Sequence, residues 1–236
     1  PLAEQRERLQ DQFGVTTLGK PDPALAQAGL VVWAIKPQQF KTAAADATAH
    51  VATALHLSIM AGVRSDDMAR LLGTERIVRA MPNTPALIGR GIAGLYARPA
   101  VDAAGRTEVE ALLAPTGRTL WVDREADLDA VTALSGSGPA YVFYFIEAMQ
   151  QAAADMGLSA EQGRQLALAT FAGATELATQ SNDPPSVLRE RVTSKGGTTY
   201  AALTSLESAG VKTAFTAALR AAEKRAQELG DELARG

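Results

Sequence analysis

Four short strings in this sequence combine residue types able to bind or orient a small charged molecule. Thr193-Ser194-Lys195-Gly196-Gly197-Thr198-Thr199-Tyr200 sets two glycines before two hydroxyls at the start of a helical pattern. A helix start of that kind offers unpaired N–H donors and partial positive charge, which suits a carboxylate or a phosphate. It lacks the Gly-x-x-x-x-Gly-Lys-Ser/Thr spacing of a P-loop, and a capped turn between helices accounts for the same residues equally well. Leu134-Ser135-Gly136-Ser137-Gly138-Pro139-Ala140-Tyr141 enters a longer helix, with Gly138 expected as N-cap and Pro139 in the first helical position. Local chemistry there fits an anion-facing backbone and an inter-domain hinge alike. Arg79-Ala80-Met81-Pro82-Asn83-Thr84-Pro85 closes a strand, and its prolines stiffen a loop that aims two hydrogen-bonding side chains outward; Pro and Asn also dominate ordinary turns. Ala34-Ile35-Lys36-Pro37 closes another strand. Pro37 has no N–H to give a ladder, which leaves Lys36 at a carboxyl-terminal strand edge, where ligands bind in open α/β sheets. Taken alone, a lysine in that place is more often a solvated surface residue.

Other chemistries are poorly served. No cysteine is present, so disulfides, thiol nucleophiles and cysteine-ligated metals are excluded. His50 and His56 have no carboxylate cluster at metal-ligand spacing; they are expected to be structural or surface residues, and no metal site is expected. No Ser-His-Asp arrangement stands out. The net charge is −3, and Arg64, Arg70, Arg76 and Arg79 are scattered as in a solvated surface, without the basic stripe that nucleic acid requires. No apolar run reaches the ~18 residues that span a bilayer, and Pro1-Leu2-Ala3-Glu4-Gln5-Arg6 has no signal-peptide character. A cytoplasmic protein with no membrane or nucleic-acid partner is expected. The first residue is not Met, which suggests a processed, truncated or partly recorded chain.

The elements that must hold these strings fall into two groups. Helix formers run from Pro1 to Phe13, with Gly14 at the expected C-cap, and Val15 to Leu18 can form a short strand. Gly29 to Ile35 is a continuous apolar run of the kind that buried parallel strands show. A helix follows from Phe40 to about Ala54. Strands are expected at Leu55 to Met60, Arg76 to Met81, Gly91 to Ala97 and Thr116 to Val122, with helices near Asp66 to Leu72 and Val101 to Leu113. Strand and helix alternating in this way imply a largely parallel α/β sheet. Beyond Glu125 the strand signal stops. Val142, Phe145, Ile146, Met149, Ala153 and Met156 make one helix face, and a helix of about two dozen residues, Val211 to Leu233, shows the same period. Helices near Ala160 to Thr179, Pro185 to Val192 and Thr199 to Ser208 lie between. The expected division is therefore 1–124 for an α/β domain and 125–236 for a helical one. The helical half is rich in small residues and poor in aromatics, and is expected to bury surface against a second copy, giving a homodimer or a higher oligomer built from dimers.

Taken in order, Ala-Ile-Lys-Pro, Met-Pro-Asn-Thr-Pro-Ala, Leu-Ser-Gly-Ser-Gly-Pro-Ala-Tyr and Ser-Lys-Gly-Gly-Thr-Thr resemble the pyrroline-5-carboxylate reductases, and the resemblance spans essentially the whole chain. It implies a Rossmann-type domain followed by an all-α dimerisation domain. The implied reaction is reduction of 1-pyrroline-5-carboxylate to L-proline with NADPH or NADH, the last step of proline biosynthesis. By the same resemblance Ala34, Ile35, Lys36, Pro37, Ala61, Gly62 and Asn83 would contact the cofactor. Ser194, Gly196, Gly197 and Thr198 would bind the substrate, and the Thr199 hydroxyl would hydrogen-bond its ring nitrogen. Lys195 stands where many members have Pro. Members open with a strand, a Gly-rich turn and a helix that hold the pyrophosphate; the sequence from Pro1 onward does not open that way, so the Rossmann-type domain is expected to be incomplete. Two alternatives stand beside this one: a non-catalytic relative that only self-associates, and a β-hydroxyacid dehydrogenase. The latter commonly has a catalytic lysine on the long inter-domain helix, and Pro139 to Met156 contains none.

Overall fold

A computed structural model describes residues 2–235. Two compact units divide the chain: Pro1–Gly136 with Ala222–Gly236, and Ser137–Ala221. In the first unit α1 spans Ala3–Phe13 and ends at Gly14, whose φ of 64° lets its amide return to the Gln10 carbonyl. The expected first helical residue, Pro1, lies outside the described residues. The strand expected at Val15–Leu18 does not form: the chain is irregular there and both side chains are exposed. A strand needs a ladder partner, and among the described residues the sheet begins only at β1 (Leu30–Trp33).

After β1 come α2 (Phe40–Val51), β2 (Leu55–Ser58), α3 (Ser65–Leu72), β3 (Ile77–Met81), β4 (Gly91–Ala97), α4 (Ala103–Leu113) and β5 (Gly117–Trp121). Spatial order follows sequence order, and every pairing is parallel except that of β3 with β4. Alternation along the strands builds a core on each face of the sheet. Trp33 and Ile77 join Phe40, Ala44 and Val51 of α2 and Met68 and Leu72 of α3 on one side. Leu55, Leu57, Val78, Ala80 and Leu95 meet Val109 and Leu113 of α4 on the other. A strand covered on both faces reads as an unbroken apolar run, and all four residues of β2 are buried.

The polar exceptions within β2 are Ser58 and His56. The Trp33 Nε1–H donates to the His56 Nδ1 at 3.0 Å. Its Nε2 lies 3.1 Å from the Val51 carbonyl, so the neutral ring carries its proton on Nε2 and donates there. Burial pushes the His56 pKa below the ordinary value; the Val51 bond opposes this and the Arg76 charge adds to it. The unfolded chain takes up this proton near pH 6.5 while the folded chain resists. The folded pKa being the lower one, stability is full above the unfolded value and declines as pH falls through it. The urea midpoint is therefore expected to drop between about pH 7.5 and 5.5, and His56→Gln should flatten that drop. An unchanged slope in the variant would clear His56 of responsibility.

Beyond β5 every element is helical: α5 (Asp127–Val131), a π-helical turn (Thr132–Gly136), α6 (Gly138–Asp155), α7 (Ala160–Gln180), α8 (Pro185–Arg191), α9 (Thr198–Ser208) and α10 (Val211–Arg235). Ser137, not Gly138, is the N-cap of α6, so Pro139 sits one position further in than expected. Packing divides the chain differently from secondary structure, since the last part of α10 belongs with the sheet. Within the second unit α6 and α7 approach closely enough that a Cβ on Gly163 would stand 2.9 Å from the Ala153 Cβ. Phe215 packs edge-on against Tyr141 and Phe145. Yet Phe143, Tyr144, Met156, Leu166 and Leu177 are exposed. This unit lacks the covered core that its apolar content could supply.

Candidate functional site

In the first unit, β1, β2 and β3 are mutually parallel, so their carboxyl ends share one edge of the sheet. Two of the four strings emerge there, after β1 and β3, with the Met60–Val63 turn after β2 between them. β1 stops at Trp33, whose carbonyl takes the Ile59 amide at 3.2 Å. Ala34 and Lys36 are exposed and Ile35 and Pro37 half-buried. Pro37 opens a 3-10 turn in which the Gln39 amide returns to the Lys36 carbonyl at 2.9 Å, which fixes the Lys36 backbone and leaves its side chain in the open. Behind β2 the chain turns through Met60, Ala61, Gly62 and Val63. The Ser58 hydroxyl accepts the Met60 amide at 3.2 Å, and Gly62 has a φ of 80°, a conformation side chains other than glycine's rarely accept.

Asn83 follows β3, and its amide is engaged at both ends. Its Oδ1 accepts the Ile92 amide at 3.0 Å, and its Nδ2 donates to the Ser135 hydroxyl at 3.1 Å. The side chain thus ties the loop after β3 to the start of β4 and to the π-helical turn. One Nδ2 hydrogen and one Oδ1 lone pair remain available to a ligand. Ser135 was singled out in the sequence only as part of a helix-entry string; its tie to Asn83 crosses 52 positions and has no local signature.

A buried ionic cluster supports the turn after β2, and it overturns part of the sequence reading. Arg79, expected on the solvated surface, is 6% exposed and donates to Glu125 Oε1 at 2.7 Å. The same oxygen accepts the Ser65 amide at 2.6 Å, while Glu125 Oε2 takes the Ser65 hydroxyl at 2.5 Å. A carboxylate so placed caps the first turn of α3 from another element and favours its positive dipole end. Arg64 grips Asp129 with both terminal nitrogens, at 3.1 and 2.9 Å. Arg79 points to the same side of the sheet as Ile77, two positions before it along β3; even spacing within an otherwise apolar strand was the available sign that it lies inside.

In the second unit the Ser194–Thr199 string forms the loop into α9. Gly196 has a φ of 77°, and the Gly197 amide closes the turn on the Ser194 carbonyl at 3.0 Å. Gly197 is the N-cap, with φ −81° and ψ 176°. The Ser194 hydroxyl folds over it, 2.7 Å from where a Gly197 Cβ would stand. Thr198, Thr199 and Tyr200 are the first three helical residues, whose amides have no acceptor within the helix. Thr198 is exposed and Thr199 half-buried. The arrangement gathers donors of one kind, N–H and O–H, suited to a small anion with a second polar atom beside it. Among the described residues no cluster of His, Asp or Glu could hold a metal ion, and no helix is long and apolar enough to cross a membrane.

Comparison with known proteins gives a consistent picture. Residues 125–229 match the family described as pyrroline-5-carboxylate reductase dimerisation. A pyrroline-5-carboxylate reductase of Pseudomonas aeruginosa is 43% identical over 235 residues, covering 99% of this chain and 86% of the relative. A solved pyrroline-5-carboxylate reductase of Coxiella burnetii superposes with a TM-score of 0.89 at 35% identity, over 97% of this chain and 86% of the other. The Plasmodium falciparum pyrroline carboxylate reductase, solved with NADP bound, gives a TM-score of 0.84 at 29% identity over 93% of this chain and 84% of the other.

Proposed function

This chain belongs to the pyrroline-5-carboxylate reductase family, and from that premise we propose how its own residues carry out the family's reaction. The reaction is reduction of 1-pyrroline-5-carboxylate to L-proline with NADPH or NADH. The observation that carries the residue assignment is the start of α9, where Thr198 and Thr199 offer amides and hydroxyls in one turn behind the N-cap Gly197.

The substrate carboxylate sits on the open amides of Thr198 and its neighbours, held by their donors and by the positive end of the helix. Ser194, Gly196 and Gly197 shape that cradle: the hydroxyl of Ser194 already lies over Gly197, and the turn at Gly196 lets the backbone come close. Thr199 then faces the ring nitrogen and hydrogen-bonds it. Electron density collects on that nitrogen as the C=N bond is reduced, so a donor placed there acts more strongly in the transition state than before it. A threonine hydroxyl orients and donates without surrendering its own proton, and water is the proton source. Clamping the carboxylate at one end of the ring fixes the orientation of the other.

The carboxyl edge of the sheet fits a nicotinamide cofactor. Ala34 and Ala61 are exposed there, and Gly62 brings the main chain round without a side chain. Ala34, Ile35, Lys36 and Pro37 after β1, Ala61 and Gly62 after β2, and Asn83 after β3 would hold it. When bound, the reduced nicotinamide supplies the hydride. A mixture of the protein, 1-pyrroline-5-carboxylate and NADPH should lose absorbance from the reduced cofactor only when all three are present. No substrate-dependent loss would end this reading.

The family's dimerisation domain is present at residues 125–229. The uncovered Phe143 and Tyr144 of α6 support a homodimer, or a larger assembly built from dimers, as the working form in the cytoplasm. Light scattering should give at least twice the chain mass, and Phe143→Glu should shift it toward the monomer. A monomeric wild type at micromolar concentration would contradict this.

A further inference from the structure

The turn after β2 carries Ala61 and Gly62, and the end of α10 is built against it by two complementary close approaches. A Cβ on Gly62 would stand 2.8 Å from Leu233 Cδ1 and 3.6 Å from the Leu229 backbone. In the other direction, a Cβ on Gly230 would stand 2.7 Å from both Nε and Nη2 of Arg64. Each element thus places a glycine where the other needs room: Gly62 receives a leucine of the helix, and Gly230 receives the arginine of the turn. Arg64 is held from the far side as well, by the two-point bond to Asp129, whose side chain is 8% exposed. Burial works against the Arg64 charge, but the Asp129 bond and the charges of Asp129, Glu125 and Asp231 raise its pKa above the usual value; Asp231 lies on α10. Ser65, the next residue, is fixed by Glu125 through both its amide and its hydroxyl.

We propose that Arg64, lodged between Asp129 and Gly230 while Leu233 closes over Gly62, is a positioning residue for the cofactor: it sets where the Ala61–Gly62 backbone stands. This rests on the reading that these two residues contact the dinucleotide. Arg64 itself touches no reacting atom and acts through the main chain. A planar guanidinium fits the two-oxygen grip and the flat space over Gly230, and lysine, with its single charged nitrogen, cannot reproduce the fork. The end of α10 is in this view part of the cofactor-binding apparatus, although it is the most distant segment in sequence from the strand ends it serves.

Two variants test this from opposite sides. Arg64→Lys keeps the charge and loses the fork. Gly230→Ala adds one methyl group on α10 against the guanidinium, and as a glycine-to-alanine change within a helix it favours helix formation, so a loss of function cannot come from a weakened helix. Amide hydrogen exchange of residues 60–64 without cofactor, and NADPH dissociation constants from nicotinamide fluorescence, are measured for each and for the double variant. Exchange in the turn is expected to accelerate in both. NADPH affinity should fall about 10- to 100-fold, the range that small misplacements of a binding group produce, with KM for NADPH rising and kcat changing much less. The double variant should be little worse than either single one, because both act through Arg64. Unchanged exchange in the turn overturns the inference. So does accelerated exchange with NADPH affinity kept, or a fully additive double variant. A wild-type protein without saturable NADPH binding would instead bring down the cofactor reading beneath it, an outcome that the variants are not needed to recognise.

Discussion

Replacing Thr199 with alanine is expected to lower kcat/KM for 1-pyrroline-5-carboxylate about 10- to 150-fold, the ~1.5–3 kcal/mol of a hydrogen bond to a charged partner. The effect should fall on kcat more than on KM, since the bond gains strength as charge builds on the ring nitrogen. The NADPH dissociation constant should barely move, because no residue assigned to the cofactor lies within Ser194–Thr199. Thr199→Ser keeps the hydroxyl at the second position of α9 and should recover most of the rate. Thr199→Ala with undiminished turnover would remove Thr199 from the chemistry, and a loss confined to KM would make it a binding group only.

The second large effect is expected at Glu125, and on stability. Its carboxylate accepts the Arg79 guanidinium and two donors from Ser65. Arg79 is already under strain of a chemical kind: burial pushes its pKa down against the pull of Glu125, and its Nε has no hydrogen-bond partner. Glu125→Ala would leave a charged guanidinium almost wholly enclosed, without its counter-ion. Breaking a buried pair by deleting one member costs about 3–5 kcal/mol, whereas removing both members for apolar residues of similar size is often neutral. Urea denaturation should therefore show Glu125→Ala far less stable than the wild type, and the double variant Arg79→Met with Glu125→Leu should regain much of that loss. A single variant within about 1 kcal/mol of wild type would mean that water reaches Arg79 and that the cluster matters little.

These two positions also mark what could and could not be read from the residue string. Thr199 is legible because its neighbours announce it: paired glycines and paired hydroxyls at a helix start are local, and the loop that they form is local too. The strands were legible for a similar reason. Their apolar runs report burial on both faces; β4 appears with the expected ends, and β2, β3 and β5 appear where expected with ends trimmed by one or two residues. The π-helical turn had no such announcement, and α5 is a helix of five residues, too short for a periodic pattern to emerge. Nothing in the residues next to Glu125 and Asp129 sets them apart from other acids. What makes them special is Arg79 and Arg64, 46 and 65 positions away, and pairing over such distances is decided by the folded sheet. Val15 to Leu18 failed in the opposite sense: the residues favour a strand, but propensity without a neighbouring ladder does not make one.

The Trp33–His56 contact has a practical consequence. Both tryptophans of the protein, Trp33 and Trp121, belong to the unit that carries the sheet, while three of the four tyrosines, Tyr141, Tyr144 and Tyr200, belong to the helical unit. Indole emission is thus a native optical label for one half of the molecule, and Trp33 carries it next to an imidazole whose protonation alters its surroundings. Unfolding of the sheet-bearing unit can be followed by the light of its two indoles, with no dye attached.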